Sequence, residues 1–535
     1  MKPRFRQSMN WLHTWVGFSF GWLLYFIFIT GTTGYFDSEI DRWMKPEITV
    51  VDQVINQDKV IAAAELQLKK LAPESTQWYI GLPASRTPFV QIQWLQSADV
   101  EKNILRSWHK RYLDTQTGEA NDARKTAGGE TLYRMHYNLH YIPQLAGYIL
   151  TSLATMLMLI GLVTGVIIHK KIFIEFFTFR AKKGIRSWLD IHNIFSVLPL
   201  PFHLMITYSG LLLLMGITMS SVIDFRYGEG QQNHRKFYNE AKLDIKEQQY
   251  IDLPTESFSL KTVLNDVAIR YKNHKINYIG LIEQGSKNEQ YEIWFDKYEG
   301  IHLVSTVKYR INSNKVEIQT ATEKAGSAAQ IYDLFEHLHE GLFANIYVRW
   351  LYFLSGLLGA GMVATGIILW IKKRQINNPK NKQLNVISVI EHINIGIIIG
   401  LPIAIASYFW ANRLLPIDIT DRANWEVHCF FIAMLASIIF SLCLSTRKAW
   451  LNLLWFTAMI YLTLPLVNLV TTEHNILLSI QKSDWLMLGF DLSMLFFGIC
   501  FAMAAIIVNK TKEQKKSTPI LANLNTKKKL KAAVH

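Results

Sequence analysis

Apolar and polar positions fall in long alternating blocks along this chain. Eight apolar runs lie at about 11–35, 141–169, 188–218, 347–371, 388–411, 425–446, 450–470 and 485–508. Each is long enough, as a helix, to cross about 30 Å of hydrocarbon. Two long polar blocks, 36–135 and 219–335, mix helical and alternating strand patterns. Each contains a turn that starts on an acid and ends on glycine between apolar strands: Asp114 to Gly118 in YLDTQTGEA and Asp296 to Gly300 in IWFDKYEGIHL. That spacing suits a hairpin loop closed by a positive-φ glycine. The pattern predicts a polytopic α-helical membrane protein of about eight spans with two α+β domains in water. Spans then occupy 1–35, 136–171, 188–218 and 336–371, with a block of four more at 388–508.

The first 375 or so residues read as two copies of one unit, span–domain–span. Spans one and three begin alike, WLHTW and WLDIHN, and spans two and four end alike, LVTGVIIHKK and MVATGIILWIKKR. Matching landmarks recur at similar offsets: His13 to His192 by 179, Asp114 to Asp296 by 182, His140 to His339 by 199. Both copies start from the same side, which predicts a parallel repeat about an axis near the membrane normal. The last four spans have no counterpart.

Charge orients the chain. Of its 535 residues half are hydrophobic, yet the net charge is +14. The basic residues cluster in the N-terminus (Lys2, Arg4, Arg6), in the loop 172–187 and its flanks, in the loop 372–387, and in the tail 509–535. All fall on one side if both termini are cytoplasmic, as positive-inside topology requires, and the polar domains are then outside. Basic residues confined to short loops between apolar runs argue against a nucleic-acid partner; the lipid bilayer is the expected one. The first run is too long for a signal-peptide core and reads as an uncleaved span. Cys429, Cys443 and Cys500 all lie in apolar runs and offer no disulfide framework, zinc knuckle or CxxCH.

Histidines gather at span ends. His13, His169 and His192 sit at the cytoplasmic edge; His136, His140, His337 and His339 sit near the outer edge; His203 is near mid-membrane. Intramembrane ionisable groups are costly and usually functional. Neutral imidazole is the standard axial ligand of haem b. Equivalent positions would meet across the repeat axis, so the expected iron ligands are His140 with His339 at the outer edge and His13 with His192 at the inner. His169 is a rival inner ligand. His203 is read three ways: a ligand, a partner for a propionate, or a residue on the path between haems. Gly161, Gly165, Gly356, Gly361 and Gly366 would let a macrocycle or a helix approach closely. Arg134, Lys170, Lys171 and Arg349 stand where propionates would emerge. Two haems make sense because one macrocycle cannot carry an electron across about 30 Å of hydrocarbon. A GxGxxG after a strand, HExxH and a nucleophile elbow are absent, so no flavin or NAD site is expected in the chain. The electron donor is then a quinol or a separate reductase.

The segments LYRMHYNLHYIP, GVIIHKKIFIEFFTFR, SWLDIHN with LPFHLMITYSG, and FWANRLLP resemble the PepSY-associated transmembrane family of bacterial inner-membrane proteins. The two polar blocks resemble PepSY domains. The resemblance implies a four-helix core holding two b-haems, two periplasmic PepSY domains, and reduction of ferric siderophores for iron uptake. The histidines matching the family's motifs are His13, His140, His169, His192, His203 and His339. Fe(III) reduction weakens hard oxygen chelation and releases iron. Two other readings follow from the same features: a non-enzymatic PepSY regulatory or binding protein, and a transporter of iron or siderophore.

Overall fold

The computed structural model describes residues 3–48, 56–84, 86–97, 106–169, 174, 178–181, 183–240, 246–251, 258–284, 286–296, 306–312, 315–321, 327–377, 384–473 and 475–516. Lys170, Lys171, Gly300, His302, His474 and the end of the basic tail lie outside them. The described residues form two compact units, 1–366 and 367–535.

In the first unit, helices start where the sequence offers a cap or a break. The helices α1 (Pro3–Ser19) and α2 (Gly21–Thr33) are followed by the short α3 (Asp37–Trp43). The chain bends by 64° between α1 and α2, where Ser19 and Gly21 flank Phe20. The helix α4 (Gln57–Leu71) is capped by the Asn56 side chain, which accepts the Lys59 N–H. Then come β1 (Gln77–Gly81), β2 (Val90–Gln96), β3 (Ser107–Leu113), β4 (Ala120–Asn121), α5 (Gly128–Asn138) and the membrane-length α6 (Gln144–Ile168). A second bent pair, α7 (Ile185–Val197) and α8 (Leu200–Leu213), breaks at Pro199 and Pro201 by 63°. The step along the chain from Phe20 to Pro199 equals the step from His13 to His192. After this pair come β5 (Lys246–Ile251), α9 (Leu260–Arg270), β6 (Ile276–Ile282), β7 (Gln290–Phe295), β8 (Thr306–Asn312), β9 (Lys315–Ala321) and α10 (Ser327–Glu340). The long α11 (Ile346–Asn377) closes the unit and runs into the second.

The two polar blocks, expected as separate domains, share one nine-stranded antiparallel sheet of order β4-β3-β2-β1-β6-β7-β8-β9-β5. The seam is the β1·β6 pair, in which Tyr79 faces Gly280 and Ile80 faces Ile279. These two pairs interchange at an offset of 200, as two-fold pairing of repeated strands requires. One face of the sheet is sealed by α4 and α9. Val60, Ala64 and Leu68 of α4 and Val263 and Val267 of α9 recur at helical spacing and join Ile80, Ile92, Ile279, Ile293 and Val307 in one core. The two Asp–Gly turns, expected to be equivalent, are not. Asp114 follows β3 and Gly118 has φ +73°, whereas Asp296 follows β7, whose counterpart at an offset of 200 is β2.

The second unit holds α12 (Leu384–Leu414), α13 (Arg422–Leu442), α14 (Thr446–Thr471) and α15 (Trp485–Lys516). Among the described residues, six helices are long and apolar enough to cross a membrane, or eight with each bent pair as one span. The protein is a polytopic membrane protein with a sheet region. A polar network is buried in the second unit. Arg422 donates to Glu426 Oε1 (2.5 Å), Asn412 Nδ2 also donates to Glu426 Oε1 (2.8 Å), Arg413 Nε donates to Asn468 Oδ1 (2.9 Å), and Asn468 Nδ2 donates to Asp491 Oδ2 (3.1 Å).

Candidate functional site

Two histidine pairs occupy the helical part of the first unit. In the pair remote from the sheet, His13 of α1 and His192 of α7 have ring centres 6.3 Å apart, with planes at 72°. Each ring is tied down in the same way. His13 Nδ1 lies 3.0 Å from the Gly161 carbonyl and 3.3 Å from Thr164 Oγ1; His192 Nδ1 lies 2.9 Å from the Met362 carbonyl and 3.1 Å from Thr365 Oγ1. A carbonyl only accepts, so Nδ1 carries the proton and the lone pair sits on Nε2. Each ring also lies over a glycine: a Cβ on Gly165 would stand 3.3 Å from His13 Cε1, and one on Gly366 would stand 3.3 Å from His192 Cε1. The step from the Gly161 anchor to the Met362 anchor equals the step from Gly165 to Gly366.

In the pair near the sheet, His136 of α5 and His339 of α10 also have ring centres 6.3 Å apart, with planes at 20°. His136 Nδ1 donates to the Tyr133 carbonyl. His339 Nδ1 lies 2.8 Å from Ser209 Oγ, whose hydroxyl donates to the Met205 carbonyl (2.7 Å), so Nδ1 is again the donor. Glycines again face the rings: a Cβ on Gly31 would stand 3.4 Å from His136 Cγ, and one on Gly210 would stand 3.1 Å from His339 Cε1. Gly31 and Gly210 are separated by the same step as His13 and His192.

The 6.3 Å spacing of both pairs has a chemical meaning. With metal–nitrogen bonds of about 2.0–2.1 Å, a metal-centred group between the rings of either pair would lie within reach of both imidazoles. An Nδ1–H given to a carbonyl or hydroxyl is the usual outer-shell partner of a ligating histidine. No group of three or more His, Cys, Asp or Glu side chains suited to a metal ion occurs among the described residues. Each pair would offer two nitrogen donors to a metal-centred group that carries further ligands of its own.

Space is available at the pair near the sheet. His136 and His339 line a cavity of about 700 Å³, within the roughly 300–1,000 Å³ of cofactor sites. Its walls are largely apolar, including Leu24, Ile27, Phe28, Met158 and Ile206, and Asp37, Arg86, Glu336 and Glu340 also line it. Arg86 comes from the β1–β2 loop of the sheet and pairs with Asp37 (2.8 Å) and Glu39 (2.7 Å). Arg349 also bonds Glu39.

The sequence-predicted residues distribute as follows. His13 and His192 come together. The ring found against His339 is that of His136, where His140 was the expected partner. His140 lies in the link between α5 and α6, where Leu139 and Tyr141 have φ of +47° and +65°; its ring centre is 4.3 Å from that of Tyr141. His169 ends α6 and accepts a bond from Asn193 Nδ2 at 3.2 Å; its buried Nδ1 has no hydrogen-bond partner among the described residues. His203 is fully buried on α8, 3.3 Å from the Ser355 carbonyl through Nε2. Of the expected cations, Arg134 is exposed beside Glu130. His136 was visible in the sequence only as one of the histidines before span two, and Arg86 carried no signal.

No curated protein matches the chain. The family model of the PepSY-associated TM region matches residues 10–373, which takes in both histidine pairs and the whole sheet, and the chain belongs to that family.

Proposed function

We propose that this PepSY-associated membrane protein is a di-haem b electron-transfer protein of the bacterial inner membrane that reduces a ferric siderophore on its periplasmic side. The observation that carries the reading is the pair of 6.3 Å histidine couples, each with Nδ1 committed to a protein acceptor. His13 and His192 hold one haem. His136 and His339 hold the other, a revision of the His140–His339 pairing. Haem, when bound, supplies a one-electron Fe(III)/Fe(II) couple.

The chain's own residues do the rest. Thr164, Thr365 and Ser209 fix ring orientation and tautomer, so that Nε2 presents its lone pair. The four glycines leave each ring room at the helix surface, where a Cβ would crowd it. Apolar walls exclude water, and Arg86, carried by the sheet, is held at the cavity by Asp37 and Glu39. The basic loops support cytoplasmic termini and a periplasmic sheet. Two copies of span–domain–span are supported by the matched bends, carbonyl anchors and glycines at constant offsets. Electrons then enter near His13 and His192 from a quinol or a separate reductase and leave near the sheet.

The test is a reduced-minus-oxidised optical spectrum of purified protein with a haem-to-protein ratio, followed by ferric-siderophore reduction. The expected result is a b-type signal near two haems per chain. A chain made with ample haem that holds none refutes the proposal.

A further inference from the structure

The two ends of the shared sheet are finished differently. Counting outward from the β1·β6 seam, β3 holds the place in the first block that β8 holds in the second. The strand β8 is covered along its length: Val307–Asn312 pair residue by residue with Lys315–Thr320 of β9, and β5 lies beyond β9. The cover of β3 is β4, two residues long, which pairs only with Tyr112 and Leu113. Among the described residues no strand pairs with the outer edge of β3 from Ser107 to Arg111. The register says what that edge offers. The Asp114 N–H donates to the Glu119 carbonyl at 2.9 Å, so the main-chain groups of Asp114 point away from β2. Main-chain groups alternate sides along an antiparallel strand, so those of Tyr112, Lys110 and Trp108 point the same way. Tyr112 meets Asn121 there. Trp108 and Lys110 each turn an N–H and a C=O to the flank that β4 does not reach, and an added strand would make about four main-chain bonds with them.

The side chains at this edge are of two kinds. Trp108 is 54% exposed, and its ring centre lies 5.5 Å from that of Tyr79. Charge alone is enough to guard a strand edge; an exposed tryptophan is not part of such a guard. The other kind is basic: from Arg106 to Leu113 the chain carries Arg106, Lys110 and Arg111 and no acid. The strand β9 shows what covers an edge of this charge. Arg310 of β8 stands opposite Glu317 and bonds it at 2.9 Å, and Lys308 stands opposite Gln319. Val307, Tyr309 and Leu113 belong to the sheet core. By alternation, Lys308 and Arg310 share with Trp108 and Lys110 the sheet face turned away from that core.

We infer that the outer edge of β3 is a docking site for an extended acidic segment of a partner protein. The segment adds to the sheet as a strand and sets an acid opposite Lys110, as Glu317 stands opposite Arg310 in the second block. Its next outward residue on that face covers Trp108. A second copy of this chain does not suit the edge, because its own β3 brings Lys110 and Arg111 to a strand that already carries both, and like charges across a strand pair repel. The site is independent of what the histidine pairs hold.

The test uses the full chain in lipid nanodiscs, with the peptide VEIQTA, blocked at both ends, as the probe; this is the sequence of residues 316–321. In the chain alone the amides of Trp108 and Lys110 exchange their hydrogens fast, and saturating peptide slows both by about tenfold or more. Fluorescence anisotropy of the labelled peptide gives the affinity. Lys110→Glu in the chain weakens binding by roughly 2- to 30-fold, and Glu317→Lys in the peptide restores it to that variant. A peptide N-methylated at Glu317, which blocks the amide that faces Lys110, does not bind; one N-methylated at Ile318, whose amide points away, binds as before. Equal affinity of the wild-type chain for the Glu317 and Glu317→Lys peptides overturns the acidic partner. A peptide that slows neither amide overturns the site. Slow exchange at Trp108 and Lys110 in the chain alone overturns the open edge, and assigns it to a second copy if dilution to the monomer makes exchange fast.

Discussion

Gly210→Ala tests the site near the sheet with one methyl group. The added Cβ would stand 3.1 Å from His339 Cε1, about 0.5 Å inside ordinary carbon–carbon contact. The ring has to give way, because the α8 backbone is fixed by its helix. Its retreat lengthens the 2.8 Å bond from Nδ1 to Ser209, at about 0.5–1.5 kcal/mol. An off-rotamer His339 adds roughly 0.5–1.5 kcal/mol. Together these weaken the hold on a group between His136 and His339 by about 1–3 kcal/mol, or roughly 5- to 150-fold in affinity. The helix itself gains from the change, since alanine is favoured over glycine in a helix interior by about 1 kcal/mol. The assay is haem retention during a challenge with a haem-scavenging apoprotein, with thermal unfolding as the control. One haem of two is expected to leave at least about fivefold faster, with Tm unchanged, or lowered by no more than corresponds to the roughly 0–2 kcal/mol left after the helix gain. Gly366→Ala, where the gap is 3.3 Å, should show a smaller effect and on the other haem. Equal retention in Gly210→Ala and wild type would refute the reasoning.

Three other outcomes are expected. His136→Ala and His339→Ala each lose one haem, the same one, while His13→Ala and His192→Ala lose the other and His140→Ala keeps both; haem-to-protein ratios of the five variants check this. In the second unit, Arg422→Met leaves the fully buried Glu426 without its cation and lowers stability by about 3–5 kcal/mol; Arg422→Met with Glu426→Met recovers most of it in detergent unfolding curves. Ile80→Ala, in the sheet core beside the β1·β6 seam, costs about 2–5 kcal/mol. Limited proteolysis of both polar blocks should speed up together, because they share one core.

The sequence made the remote pair legible because α1 and α7 carry their histidines at the same point of the same motif, before the bend. The pair near the sheet was harder. An offset of 199 aligns His140 with His339, but the ring found against His339 is that of His136, and the residues flanking His140 in the α5–α6 link have positive φ. No local pattern signals such a link in advance. The strands were legible as alternating runs, but β1·β6 joins segments from opposite halves of the repeat through main-chain bonds that no side-chain pattern encodes. The second-unit network was the least readable. Arg413, Arg422 and Glu426 sit at span ends, where charges are ordinarily solvated, and only the packing of four helices reveals that they are buried.

The shared sheet has a consequence for synthesis. When β1 leaves the ribosome at Gly81, its partner strand, which starts at Ile276, has yet to be made. At about 5–20 residues per second the intervening stretch takes roughly 10–40 s to synthesise. Throughout that wait the first block has an open strand edge, the form of surface that invites pairing with another chain. Charge guards this edge poorly, since QWYIG has none. Cells that make this protein quickly would need either a chaperone on that edge or slow enough initiation that nascent neighbours rarely meet. Truncated chains that stop before Ile276 should aggregate through β1 more readily than the full chain.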